Sequence, residues 1–161
     1  MSGGVNLHAT AVVIGVSGIL LVGPSGSGKS RLALSLLAEA DALGLFARLI
    51  ADDQVFIAHS GGRVIASAPP AIAGKIEIYG SGIAVVEHLD AAVMDFCVRP
   101  VDVKTAERLP EPELSFTLPG GEMLPLVPLM LQGAGSLARL NALCPGLADG
   151  RPARPCIDGN G

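Results

Sequence analysis

Gly23-Pro24-Ser25-Gly26-Ser27-Gly28-Lys29-Ser30 is the stretch that decides how this chain is read. It satisfies G-x-x-x-x-G-K-[ST] without substitution, and its flanks suit the motif. Ile19-Leu20-Leu21-Val22 precedes it as an apolar strand, and Arg31 to Glu39 follows with leucines at helical spacing. Glycines let the backbone curl so that successive N–H groups face one anion, while the positive end of the following helix points the same way. Lys29 can reach the β- and γ-phosphates of a nucleotide, and the Ser30 hydroxyl suits Mg²⁺. The loop Gly23, Pro24, Ser25, Gly26, Ser27, Gly28, Lys29 and Ser30 is therefore expected to be a P-loop that binds nucleotide.

The rest of the composition narrows the setting. A chain of 161 residues suits one domain with a real core, and half of its residues are apolar. With four Phe, one Tyr and no Trp, that core must be packed by Ala, Val, Leu and Ile. A net charge of −4, with no basic stripe, argues against a nucleic-acid partner. Cys97, Cys144 and Cys156 lack C-x-x-C spacing, so neither a disulfide framework nor a zinc site is indicated. The apolar run from Ala11 to Val22 is too short to span a bilayer. These features predict a soluble, cytoplasmic protein with no membrane partner.

Working outward, Leu7 to Ile14 reads as a strand, Gly15 to Gly18 as a turn, and Ile19 to Val22 as a second strand. The first helix is expected over Lys29 to Ala42, with Leu32, Leu36, Ala40 and Leu43 on one face and Gly44 as its stop. Ala47 to Ala51 is a short strand ending on Asp52-Asp53, and Gly61-Gly62 joins a hairpin of 55–58 and 63–68. In Lys75 to Tyr79 strict alternation places Ile76 and Ile78 toward the core and Lys75, Glu77 and Tyr79 on the other face. Ala92 to Val98 is another strand. Residues 114–118 and 122–127 suggest a second hairpin interrupted by Pro125, and a final helix is expected over Leu129 to Leu143. From Cys144 the Gly-, Pro- and Arg-rich chain reads as a flexible tail, 144–161, behind a single domain, 1–143. Strands around one strong helix imply an α/β fold with a mixed β-sheet.

Phosphoryl transfer needs more than a phosphate loop. It needs metal ligands, a group to handle the acceptor proton, and cations to meet developing charge. Asp52 and Asp53 sit at a strand end, where one can serve the metal while the other accepts a hydroxyl proton. Glu77 precedes Gly80-Ser81-Gly82, a turn that lets a ligand approach the backbone.

Taken in order, these pieces resemble the catalytic domain of the HPr kinase/phosphorylase family. The resemblance runs from Asn6 to about Pro110 and rests on Leu7-His8-Ala9, the Gly15-to-Gly18 turn, the phosphate loop, Ala51-Asp52-Asp53, and Ile76-Glu77-Ile78-Tyr79-Gly80-Ser81-Gly82-Ile83. It implies an enzyme that uses ATP and Mg²⁺ to phosphorylate a serine of the small phosphocarrier protein HPr, regulating the phosphotransferase system. It also implies removal of that phosphate by phosphorolysis, with phosphate consumed and pyrophosphate released. By position, Ser30 and Glu77, with Asp52, are expected to hold Mg²⁺. Asp53 is expected as base and, in reverse, as acid, and His8, Lys29 and Arg108 as further catalytic groups.

The resemblance further implies a nucleotide site similar to that of phosphoenolpyruvate carboxykinases and a homo-oligomer, commonly a hexamer. The chain begins directly with the catalytic strand, like the short forms typical of alphaproteobacteria. Tyr79 stands where the family motif has Arg, Arg31 stands where longer members have Glu, and 125–128 offer no cation where they carry an arginine loop. The kinase direction is therefore better supported than phosphorolysis. Two other readings stay open: a small-molecule kinase built on the same loop, and a nucleotide-sensing regulator whose catalysis has been lost.

Overall fold

The computed structural model describes residues 4–104, 106–108, 111 and 114–156. In chain order the first elements are β1 (Val5–Leu7), β2 (Ala9–Ile14), β3 (Ser17–Val22), α1 (Lys29–Ala42), β4 (Ala47–Ala51), β5 (Val55–Ser60) and β6 (Arg63–Ser67). Then come β7 (Lys75–Ile78), β8 (Gly82–Val85), β9 (Ala91–Met94), β10 (Phe96–Val101), β11 (Ser115–Thr117), β12 (Met123–Met130) and α2 (Ser136–Leu143).

A six-stranded mixed sheet, ordered β11-β12-β10-β3-β2-β4, carries the molecule. Within it β3, β10 and β12 run parallel, and β2 is antiparallel to both of its neighbours. A second, antiparallel sheet is ordered β1-β5-β6-β9, and β7 and β8 form a separate ribbon. Side-chain alternation buries the main sheet on both faces. Val12, Ile14, Ile19, Leu21, Phe96 and Val98 pack with Leu32 and Leu36 of α1 and Leu137 and Leu140 of α2. Ala9, Ala11, Leu20, Val22 and Cys97 instead meet Val55, Ile57, Val64 and Ala66 of the second sheet. Each fully buried Leu or Ile contributes about 1.5–3 kcal/mol relative to exposure. Two apolar layers thus flank one sheet, and β3 delivers the glycine loop at its carboxyl end.

Several expectations need correction. The strand expected over 7–14 breaks at His8, because β1 belongs to the second sheet and β2 to the main one. The strand expected over 92–98 divides at Asp95 for the same reason. Ile78 is 38% exposed rather than core: it shares a face with buried Ile76 but stands at the end of β7, opposite Gly82 at the turn of the ribbon. Leu43 closes α1 but is exposed.

Pro125 does not interrupt β12. That strand pairs with β11 over Met123 to Pro125 and with β10 over Leu126 to Met130, so each proline has a free side for its missing N–H. Met130 therefore still belongs to the sheet, and the last helix starts only at Ser136, after Gly133 and Gly135 at positive φ. The segment from Cys144, expected to fray, is instead packed as far as it is described. Cys144, Leu147 and Ala153 are buried in the α1-side core, and the Ala153 N–H donates to Ser17 Oγ at 3.1 Å. Residues 157–161 lie outside the described residues.

Candidate active site

The glycine loop leaves β3 and enters α1 through Gly28, which holds φ 96° in a left-handed conformation without a side-chain cap. Gly26 also has positive φ, at 78°, with nothing within 4 Å of where a Cβ would project. The N–H groups of the first helical turn are therefore free of a capping side chain, which suits an anion. Ser27 Oγ is buried in the loop without a hydrogen-bond partner. Lys29 is only 6% exposed, and its Nζ donates to Gly23 O at 2.9 Å and to Pro24 O at 3.0 Å. Burial lowers the Lys29 pKa below 10.5, while the Asp53 and Asp52 carboxylates pull the other way.

The two aspartates at the end of β4 diverge. Asp52 is buried, and its Oδ1 accepts from Ser30 Oγ at 2.6 Å and from Thr10 Oγ1 at 2.8 Å. Its Oδ2 accepts from the Glu77 N–H at 3.1 Å. Asp53, one residue on, has a side chain 60% exposed, with Oδ1 lying 3.0 Å from His8 Nε2. Its backbone sits at φ 69°, the left-handed region, alone among the described non-glycine residues. That twist turns the second carboxylate away from the first. A cavity then opens between Asp52, Asp53, Lys75 and Glu77 on its polar side and Ile72, Ile76 and Ile83 on its apolar side. Asp52 touches the glycine loop through Ser30 and also lines this cavity.

His8, Lys29, Ser30, Asp52, Asp53 and Glu77 are thus linked by hydrogen bonds, charge interactions or a shared cavity. Gly23, Pro24, Ser25, Gly26, Ser27 and Gly28 form the loop before them. Arg108 is not drawn in: it is exposed in the connection between β10 and β11 and is not among the residues lining the cavity. Among the described residues no three His, Cys, Asp or Glu side chains form a metal-holding group. The candidate set for Mg²⁺ is two carboxylates and one hydroxyl, Asp52, Glu77 and Ser30. Hard oxygen donors of this kind fit an ion that keeps several of its waters. The orphaned Ser27 hydroxyl and the uncapped helix start fit a phosphate chain. Thr10 was not legible as a site residue, although it is the one polar residue in the strand Ala-Thr-Ala-Val-Val-Ile.

Fold and site together define an α/β protein in which a glycine loop between a strand and a helix adjoins a carboxylate pair. The family model described as HPr Serine kinase C-terminal domain matches residues 1–98, and the chain belongs to that family. A relative named HPr kinase/phosphorylase from Clostridium botulinum (strain Eklund 17B / Type B) is 41% identical over 83 residues, 52% of this chain and 25% of the relative. The protein of the same name from Lacticaseibacillus casei (strain BL23) is 36% identical over 88 residues, 54% of this chain and 26% of that one. The matches therefore span about a quarter of those relatives' length. The solved structure of the Hpr(Ser) kinase/phosphatase from Coxiella burnetii superposes with a TM-score of 0.69 at 23% identity, covering 84% of each chain. That likeness establishes the mixed α/β fold. Among the described residues, no helix is long and apolar enough to cross a membrane.

Proposed function

We propose that this chain transfers the γ-phosphoryl group of ATP to a serine of an HPr-type phosphocarrier protein. Family membership and the names of the relatives support the substrate class. The observation that supports the chemistry is the different placement of the neighbouring acids. Asp52 is tied to Ser30 of the glycine loop, and Asp53 is turned into an open cavity.

In this reading the loop amides and Lys29 hold the triphosphate, in a site similar to that of phosphoenolpyruvate carboxykinases. Lys29 exchanges its bonds to Gly23 O and Pro24 O for phosphate oxygens. Ser30, Asp52 and Glu77 would hold Mg²⁺, which neutralises charge on the phosphates when bound. Asp52 accepts a hydrogen bond from the Ser30 hydroxyl, leaving that oxygen's lone pairs free to face the ion.

The serine hydroxyl enters from the side of Ile72 and Ile83, and Asp53 accepts its proton as the oxygen attacks phosphorus. His8 fixes the rotamer of Asp53 through the 3.0 Å contact. In the phosphorolytic direction Asp53 relays a proton from the attacking inorganic phosphate to the departing serine oxygen, while that phosphate takes up the phosphoryl group as pyrophosphate. The test is to incubate the chain with purified HPr, ATP and Mg²⁺ and map the product by mass spectrometry. One phosphate on a serine of HPr is expected. Transfer only to a metabolite, or ATP binding without turnover, would overturn the reading.

A further inference from the structure

One side chain outside the reacting groups bonds to both acids. Thr10 lies in β2, fully buried, in a strand otherwise made of Ala, Val and Ile. Its hydroxyl donates to Asp52 Oδ1 at 2.8 Å and accepts from the Asp53 N–H at 3.4 Å. A hydroxyl has one proton and two lone pairs, so one group can serve both neighbours. The β2–β4 ladder is irregular beside this contact. Ala11 pairs with Ala51 and Val12 with Leu49, so the register slips by one residue just before the acid pair. Such bulges re-aim side chains beside functional sites. Here the slip accompanies the approach of the end of β4 to Thr10. The Gln54 N–H then donates to Asp52 O at 2.8 Å, closing the tight turn around Asp53 at φ 69°. A non-glycine residue in that region persists only where its surroundings hold it.

We infer that Thr10 is a positioning residue, resting on the function proposed above. Its hydroxyl orients Asp52 toward Ser30 and fixes the backbone turn that points Asp53 at the acceptor. Thr10→Val keeps the branched shape and burial but loses both hydrogen bonds, whereas Thr10→Ser keeps the hydroxyl. Two measurements separate positioning from mere packing. The first is the Mg²⁺ concentration for half-maximal binding of a fluorescent ATP analogue, read with no acceptor present. The second is the split between kcat and KM for transfer to HPr.

Thr10→Val is expected to raise the Mg²⁺ half-point and lower kcat, each by about 10-fold, the scale for removing a residue that orients metal ligands. KM for HPr is expected to stay within ~3-fold, because the acceptor surface is untouched, and Thr10→Ser should recover both losses. A Thr10→Val protein with the wild-type half-point and kcat would overturn the inference. So would a folded Thr10→Ser protein as impaired as Thr10→Val. Should Thr10→Val fail to fold, Thr10→Cys, similar in size to serine but a weak hydrogen-bonding group, replaces it in the same contrast. If the wild-type chain transfers nothing to HPr, the proposed function fails, while the Mg²⁺ half-points still decide the role of Thr10.

Discussion

Replacing Asp53 by glycine separates what this residue does for chemistry from what it costs the fold. A left-handed conformation costs an L-residue about 1–2 kcal/mol, with Asp at the lower end, and glycine nothing. Asp53 pays that cost at φ 69°. Against the relief stands the lost His8 contact, whose side chains are 48% and 60% exposed. Solvent screening leaves such a pair about 0–1 kcal/mol. Glycine also adds roughly 0.5–1 kcal/mol of freedom to the unfolded chain. The terms nearly cancel, so Asp53→Gly should keep wild-type stability to within about 1 kcal/mol.

Asp53→Ala keeps the strain without the carboxylate and should be about 1 kcal/mol less stable than Asp53→Gly. Both should lose about 10²–10⁴-fold in transfer to HPr, the scale for a missing general base, while still binding ATP. Urea unfolding followed by circular dichroism, nucleotide titration and initial rates give the three readouts. A transfer rate within threefold of wild type in either variant would refute the role of Asp53. Equal stabilities for the alanine and glycine variants would refute the strain argument.

Gly18→Ala should destabilise severely, by about 3 kcal/mol or more in chemical denaturation. Its Cβ would fall 1.8 Å from Val93 O, and its N–H and C=O are clasped by Asp95 at 2.8 Å each. Lys29→Ala should weaken ATP binding and transfer together by isothermal titration and rate measurement, and unchanged values would contradict the loop assignment. In native protein a thiol reagent should label Cys156 quickly, and Cys97 and Cys144 only on unfolding.

Burial pushes the Cys97 and Cys144 thiols up from 9.0 to about 12, so the folded state favours their protonated form. That contribution is intact below pH 9.0 and is lost as pH rises toward 12. The urea midpoint should fall across that window, and fall less in Cys97→Ala.

What the sequence made legible was local. The loop and α1 could be bounded to the residue because glycine spacing and helical periodicity act within a few positions, and Gly44 ends the helix through its positive φ. The acid pair was visible as a strand end, and Glu77 was found on its expected strand. What escaped depends on distant neighbours. His8 and Asp95 break strands because the chain changes sheets there, which no local pattern announces. The prolines of β12 are harmless only because its two partners cover different halves of it. Ile78 alternates like a core residue and shares the face of buried Ile76, but it lies at the turn end of the ribbon, opposite Gly82. Cys144 and Ala153 pack into the core through contacts with β2, β3 and α1, far upstream in sequence. Thr10 meets the acids because β2 pairs with β4 antiparallel, a partnership between segments some forty residues apart.

A crystal structure with Mg²⁺ and a non-hydrolysable ATP analogue tests the central claim most directly. In that structure Lys29 Nζ should leave Gly23 O and Pro24 O for the phosphates, with the ion against Ser30 and the terminal phosphate facing Asp53 across the cavity. A nucleotide bound away from the glycine loop, or a terminal phosphate turned from Asp53, would contradict it.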